Sequence, residues 1–452
     1  MTTNGKADKA KLKEIPIQQA RGRQLPATEK QKLVTSLMAS VLNIDTDLID
    51  LHTSFFTLGG DSISAIALVS AFRRHGYQLT VAQIFKSPTP ARLATIMQER
   101  HDKPSQRSEA VVGDIPLTPI QHWFFESKRR YLNFFNQGWV LNPREHIDFE
   151  QFKQAIAQIV AHHDMLRARY TRDSDGMWRQ TVLGAELYNM NVQHIVCRDE
   201  DEFLKLAKHK SASLDIECGP LHSATLFEIK GEQRIHFTIH HLVIDLVSWR
   251  IILEDLEILL KGGRLEEKTT SFQEWAIAQE QHAQYFDPSV WDQHINIADM
   301  SILANPDPTG VSASSLLDKA NETYRTNTQD LALTALLLSF QEVIGKEELS
   351  LFLEGHGREP WNNQLDISRT VGWFTTVFPV TLSTLCADSI DTIIKRLKNT
   401  LRSIPDKGLS YGAIKHLSPS TDATNAATRA LRMKYSTILL LIVISIPKDV
   451  FS

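Results

Sequence analysis

The spacing of apolar and polar positions changes character along the chain. In residues 28–42, TEKQKLVTSLMASVL, Leu33, Leu37, Val41 and Leu42 recur on one helical face. Thr28 and Gln31 have the spacing of a capping box, which predicts a helix starting there. After the loop NIDTDLIDLHTSFFTLGG, the stretch DSISAIALVSAFRRHG predicts a second helix closed by Gly76. SPTP then introduces a last short helix, ARLATIMQER. Three or four helices so close together predict a small bundle.

Residues 101–114, HDKPSQRSEAVVGD, are polar and without periodicity, and read as a flexible linker. From Ile115 onward, helical stretches such as FEQFKQAIAQIVAHHDML alternate with strand-like ones such as QRIHFTIHH and ELSLFLEG. That mixture predicts an α/β or α+β domain. Within IHFTIHHLVIDLVSWR, a period of two sets Ile235, Phe237, Ile239 and His241 on one face, and His236, Thr238 and His240 on the other. LVSWRIILEDLEILL follows as an apolar helix with Asp245 at its start.

Composition narrows the class. Of 452 residues, 42% are hydrophobic and 23% charged, which suits a globular chain with room for two to four domains. A net charge of -4, from 49 basic and 53 acidic residues, gives no nucleic-acid footprint. Cys197, Cys218 and Cys386 match no metal or redox spacing, and read as core filler in a reducing compartment. MTTNGKADKAKLKEIP has no signal-peptide core. ILLLIVISI, at 438–446, has nine residues, too few to span a bilayer. The expectation is a cytoplasmic protein that engages neither membrane nor nucleic acid.

Two stretches carry chemistry. Ser62 follows Gly59, Gly60 and Asp61 at a predicted helix start, where backbone N–H groups and the helix dipole favour an anion. By itself that pattern also fits an ordinary N-cap, and GGDS lacks the Gly-Lys-Ser/Thr ending of a P-loop. The whole stretch DLHTSFFTLGGDSISAIALVSAFRRHGYQLTVAQIFKSPTPARLATIM resembles the peptidyl carrier domain of nonribosomal peptide synthetases. The resemblance implies that Ser62 bears 4′-phosphopantetheine, attached by a phosphopantetheinyl transferase, with Asp61 and Gly60 shaping the loop. Ser64 is the neighbouring decoy.

The histidine pair has two readings from its residues alone: a hydrogen-bonded core pair, or an active-site base kept neutral by burial. HHxxxD offers no third metal ligand at known spacing, so no metal is expected. HHLVIDLVSWR resembles the HHxxxD motif of the condensation superfamily, with Leu246 where peptide-bond-forming members usually carry glycine. PLTPIQHWFFE, FNQGWVL, HHDMLRARY, EGHGRE, RTVGWFTTVFPV and KGLSYGAIKHL follow the superfamily's order, and EGHGRE and RTVGWFTTVFP are most similar to epimerization domains. The implied fold is α+β: a four-helix carrier plus a two-lobed domain like chloramphenicol acetyltransferase. The implied reaction inverts Cα of an aminoacyl or peptidyl thioester by deprotonation and reprotonation. His241 and Glu354 would exchange the proton, Asp245 would hold an arginine or backbone group, and Tyr411 would line the pocket. Glu359 reads as structural, and His162, His163, Asp164 and Arg167 as braces of the fold.

The expected divisions are an adenylation-domain remnant over 1–24, the carrier over 25–100, a linker over 101–114, and two lobes over 115–285 and 286–452. MTTNGKADKAKLKEI resembles the last adenylation motif, with Lys6 as its lysine, so upstream adenylation and downstream condensation modules are the implied partners. TILLLIVISIPKDVFS departs from the family and reads as a truncated or altered end that leaves the second lobe incomplete. A condensing transferase and a non-catalytic carrier or docking fragment therefore stand as alternatives to epimerization.

Overall fold

The structure is a computed structural model that describes residues 24–99, 110–127, 131–188, 190–291, 294, 328–359, 361, 365–385, 388–418 and 440–441. Lys6, Cys386 and the segment 442–452 lie outside the described residues. The chain divides into two compact units, with the boundary between Lys103 and Pro104.

Among the described residues the first unit has four α-helices: α1 (Glu29–Leu42), α2 (Ser62–Arg74), α3 (Val81–Lys86) and α4 (Pro90–Ile96). Each begins at a polar cap, and Thr28, Asp61 and Thr80 form capping boxes with Gln31, Ser64 and Gln83. The buried stripe of α1 runs through Val34, Leu37, Met38 and Ala39, one position away from the predicted face. Leu33, Val41 and Leu42 pack at its margin, because α1 touches both α2 and α4 and needs a broader apolar surface. Phe55, Leu68, Phe72, Ile84 and Leu93 form the centre of the core. The predicted last helix stops at Ile96, and β2 (Gln98–Glu99) pairs with β1 (Tyr77–Gln78).

The second unit holds three sheets among the described residues. The strands β3 (Gly113–Ile115), β5 (Ala168–Arg172) and β6 (Trp178–Val182) form one, in the order β3-β6-β5. A second takes the order β4-β9-β8-β7, from β4 (Asn136–Leu141), β7 (Val192–Cys197), β8 (His222–Ile229) and β9 (Glu232–His240). Around them stand α5 (Pro119–Glu126), α6 (Phe149–His162), α7 (Glu200–Ala212), α8 (Leu246–Leu260) and α9 (Phe272–Ala283). The third sheet has β10 (Glu348–Gly355) between β11 (Thr376–Ser383) and β12 (Leu440–Leu441). It packs with α10 (Thr328–Ile344), α11 (Ile390–Arg402) and α12 (Leu409–His416). The mixture is the predicted α+β, and β12 pairs in parallel with Phe352 and Leu353 of β10.

Two expectations change, those for His241 and for Cys218. β9 lies between β4 and β8 and is buried from Ile235 to His240, so the face carrying His236, Thr238 and His240 is as dry as the apolar one. The strand ends at His240, and His241 opens a 3-10 turn (His241–Val243), so strand alternation does not set its direction. Cys218 is exposed beside the Gly219–Pro220 turn and is not core filler, whereas Cys197 is buried.

Candidate active site

The carrier loop converges on the start of α2. Gly59 takes φ +98, a left-handed conformation that glycine adopts without strain. A Cβ on Gly60 would lie 2.3 Å from the Phe55 ring and 2.7 Å from its carbonyl oxygen, so only glycine fits. Asp61 caps the helix and accepts from the Ser64 N–H at 2.7 Å. The Ser64 hydroxyl is committed to the same cap, donating to Asp61 and accepting from its N–H. Ser62 is the first residue of the helix. A tight loop with no side chain at Gly60, followed by a helix start, fits a phosphodiester at Ser62.

In the second unit, β9 delivers two histidines to different surroundings. His240 is fully buried; Nδ1 accepts from the Leu242 N–H at 3.2 Å and Nε2 donates to Leu132 O at 2.9 Å. That pattern fits the neutral tautomer and a bracing role. His241 is half-buried, with Nδ1 donating to Ile244 O at 2.7 Å. A carbonyl only accepts, so the proton sits on Nδ1, and the lone pair of the neutral ring belongs to Nε2. The ring stacks on Phe135, with centroids 4.8 Å apart and 13° between planes, and packs against Trp373 at 4.7 Å.

Asp245 caps α8 through the Ser248 N–H at 2.7 Å. Its carboxylate also receives Arg358 Nε at 3.3 Å and Nη2 at 3.0 and 3.1 Å, together with the Phe374 N–H at 3.2 Å. Arg358 further donates to Ile367 O, Thr370 O and Ser248 Oγ, and its guanidinium lies 3.9 Å from the Phe374 ring centroid. Gly357 permits this turn: its φ is +65, and a Cβ there would collide with Phe374 O. Asp245 is thus committed to α8, Arg358 and the loop before β11.

The two glutamates of EGHGRE differ sharply. Burial alone raises the carboxyl of Glu354, near the end of β10. At Glu359 burial opposes the charge, but His356 at 3.3 Å and Lys407 at 2.5 Å outweigh it and hold the carboxyl low. Tyr411 does not take its expected place on the pocket wall. Leu409, Gly412 and His416 share the face of α12 that lines the cleft, while Tyr411 lies on another face against Trp291 and Phe352.

An open cleft lies beside these groups, with Trp123, Trp275, Trp373 and Phe374 among its walls. Trp373 links it to His241. Val377, cross-strand from Glu354 and so on the same sheet face, links it to the carboxyl. Nothing in the motifs PLTPIQ and GWFTT signals that Thr118, Trp373 and Thr376 line one space; only the fold brings residues so far apart in sequence together. Among the described residues no cluster suited to a metal ion is present, and no helix is long and apolar enough to cross a membrane.

Comparison with known proteins gives these features a family. Residues 111–428 match the condensation domain family, and residues 32–97 the phosphopantetheine attachment site family. Over 93% of its length the chain is 34% identical to nonribosomal peptide synthetase ungA′ of Aspergillus campestris, and over 86% it is 35% identical to nonribosomal peptide synthetase atnA of Emericella nidulans. It spans only 5% and 6% of those relatives' lengths. Among solved structures, the epimerization domain from the third module of tyrocidine synthetase B superposes with a TM-score of 0.62 at 29% identity, covering 74% of this chain and 81% of that one. The condensation domain of the Monacolin K polyketide synthase MokA shares the fold, with a TM-score of 0.57 at 15% identity over 68% of this chain and 76% of that one. The chain belongs to the condensation-domain family, and in front of that domain it carries a phosphopantetheine-attachment carrier, as in the nonribosomal peptide synthetases it resembles.

Proposed function

We propose that the second unit is an epimerase that inverts Cα of an aminoacyl or peptidyl thioester held by the carrier at Ser62. The observation that carries this reading is the pair His241 and Glu354, two proton-transfer groups of different kind beside one cleft. When bound, 4′-phosphopantetheine supplies the thiol that holds the acyl group as a thioester, and this acidifies the Cα–H. His241, its tautomer fixed by Ile244 O and its ring clamped by Phe135 and Trp373, takes the proton on Nε2. Glu354, kept protonated to higher pH by burial, returns a proton to the opposite face. In the reverse direction the roles exchange, so either enantiomer leads to a mixture. Asp245 and Arg358 fix the turn that holds Glu354's strand against α8. Leu246, which opens α8 after the aspartate, and the similarity to a tyrocidine synthetase epimerization domain support the same reading.

A condensing transferase is the second reading, favoured by the condensation-domain match itself. It needs a base but gives the half-buried Glu354 carboxyl no task. The deciding experiment loads the carrier with an L-aminoacyl or peptidyl group in deuterated water, then releases the product to read mass and chirality. Deuterium at Cα in an L/D mixture, lost in His241→Ala, is the expected result. Pure L product with retained protium on a loaded carrier rejects the epimerase, and peptide-bond formation with an added acceptor would establish the transferase.

A further inference from the structure

A base that takes a proton on an imidazole becomes a cation, and whatever ring lies against it then matters. The face of an indole attracts a cation more strongly than that of phenylalanine or tyrosine. Trp373 lies 4.7 Å from His241 between ring centroids, with 43° between planes, and also packs on Phe135 at 5.6 Å and Phe124 at 6.3 Å. Yet Trp373 stands in the loop before β11, between Gly372 and Phe374, and belongs to no helix or strand. Its place against the base has to be fixed from elsewhere.

Ser248 of α8 supplies that hold. Its side chain is fully buried, and the hydroxyl uses its one donor and both acceptor positions. Oγ donates to Gly372 O at 2.9 Å and accepts from the Gly372 N–H at 3.0 Å and from Arg358 Nη2 at 2.9 Å. The cap of α8 does not need this hydroxyl, since Asp245 receives the Ser248 backbone N–H. On its other side Gly372 meets Phe272, the first residue of α9. A Cβ on Gly372 would lie 2.2 Å from that ring, so only glycine fits between the serine and the phenyl group. Two residues on, the Phe374 N–H donates to Asp245 at 3.2 Å. The backbone on both sides of Trp373 is therefore anchored, and its indole reaches the turn that carries His241.

We propose that Ser248 is a positioning residue for the reaction: by binding both backbone groups of Gly372 it fixes the Trp373 indole against His241, where the ring stabilises the imidazolium formed as the substrate proton arrives. The proton passes from Cα to Nε2, the electron pair of the C–H bond stays on the substrate as the enolate, and no further reactant is needed. The inference rests on the epimerase reading for this step and on the geometry for the contact.

The test uses the full chain bearing phosphopantetheine, loaded in parallel with L-phenylalanyl and N-acetyl-L-phenylalanyl groups, and follows whichever exchanges faster. Two quantities are read: the rate of deuterium uptake at Cα, and the Cε1–H resonance of His241 in chain labelled with carbon-13 histidine, assigned by its loss in His241→Ala. Ser248→Ala should slow exchange about tenfold and displace the resonance, because the indole leaves the imidazole. Ser248→Thr, which keeps the hydroxyl, should recover most of both. In a Trp373→Leu chain, Ser248→Ala should slow exchange little further, since the serine acts through an indole already removed. Additive losses in that double variant overturn the proposal, as does a His241 resonance left in place by Ser248→Ala. Should Ser248→Ala fail to fold, Trp373→Phe and Trp373→Leu still decide: exchange should fall from the unaltered chain to Trp373→Phe and again to Trp373→Leu. A Trp373→Leu chain as fast as the unaltered one overturns the proposal. Should the unaltered chain exchange with neither group, the epimerase reading falls, and the resonance alone decides whether Ser248 places Trp373 on His241.

Discussion

Asp245 and Arg358, 113 positions apart, are locked together by contacts of 3.0, 3.1 and 3.3 Å. Both are buried, and each has its remaining hydrogen-bonding capacity taken by the Ser248 N–H, the Phe374 N–H, Ile367 O or Thr370 O. The motif aspartate thus ties α8 to the EGHGRE turn and to the loop before β11.

Removing one member leaves the other as an uncompensated buried charge. Asp245→Ala and Arg358→Met should each destabilise the second unit by about 3–5 kcal/mol, read from the midpoint of urea unfolding. Arg358→Lys should rescue little, because one ammonium cannot replace five donors aimed at four partners. A loss below about 1 kcal/mol in both single variants would contradict the bracing role.

The two adjacent histidines should separate stability from activity. His240 is buried and bonded through both nitrogens, so His240→Ala should lower stability by about 2–4 kcal/mol. His241→Ala should abolish Cα exchange by at least about a hundredfold while thermal unfolding shifts little. The opposite pattern would move the base to His240.

Glu354 predicts a pH signature. Burial raises its folded-state pKa above the ordinary 4.5, so the folded chain binds this proton more tightly than the unfolded chain. Its contribution to stability is therefore complete below 4.5 and is lost as pH rises through the raised value. Glu354→Gln should remove that loss and make the second unit relatively more stable at neutral pH, while exchange activity collapses. Glu359 has the reverse sign: its contribution is present above the ordinary carboxylate range and lost on acidification. Comparing stability curves of Glu354→Gln and Glu359→Gln between acid and neutral pH checks both.

At the carrier, Ser62→Ala should abolish the mass increase on treatment with a phosphopantetheinyl transferase and coenzyme A. Ser64→Ala should leave that increase intact but weaken the capping box, lowering the carrier's stability by about 1 kcal/mol. Modification of the Ser62→Ala protein would reassign the attachment site.

Tyr411 offers a negative control. Its ring packs against Trp291 and Phe352, away from the cleft-lining face of α12. Tyr411→Phe should keep the exchange rate within about threefold of the unaltered chain, well under the loss expected for a catalytic group.

Local interactions made much of this molecule readable from the sequence. The Thr28–Gln31 capping box, the closure of α2 at Gly76, the strand ELSLFLEG and the helix after Asp245 all arise from contacts within a few residues. The special position of Ser62 is likewise local, fixed by two glycines and a cap. Tertiary structure decided whatever depends on distant neighbours. The second face of β9 is dry because α7 packs over it, bringing Ser211 to 3.3 Å from His236, and His241 turns out of the strand because the strand ends one residue earlier. Arg358 becomes Asp245's partner, and Tyr411 leaves the pocket because α12 presents a different face. The cleft-lining residues Thr118, Gln279, Trp373 and Thr376 come from segments up to 258 positions apart, from 118 to 376. Hydrophobic periodicity can say that such residues are buried, but only the folded chain determines which space they share.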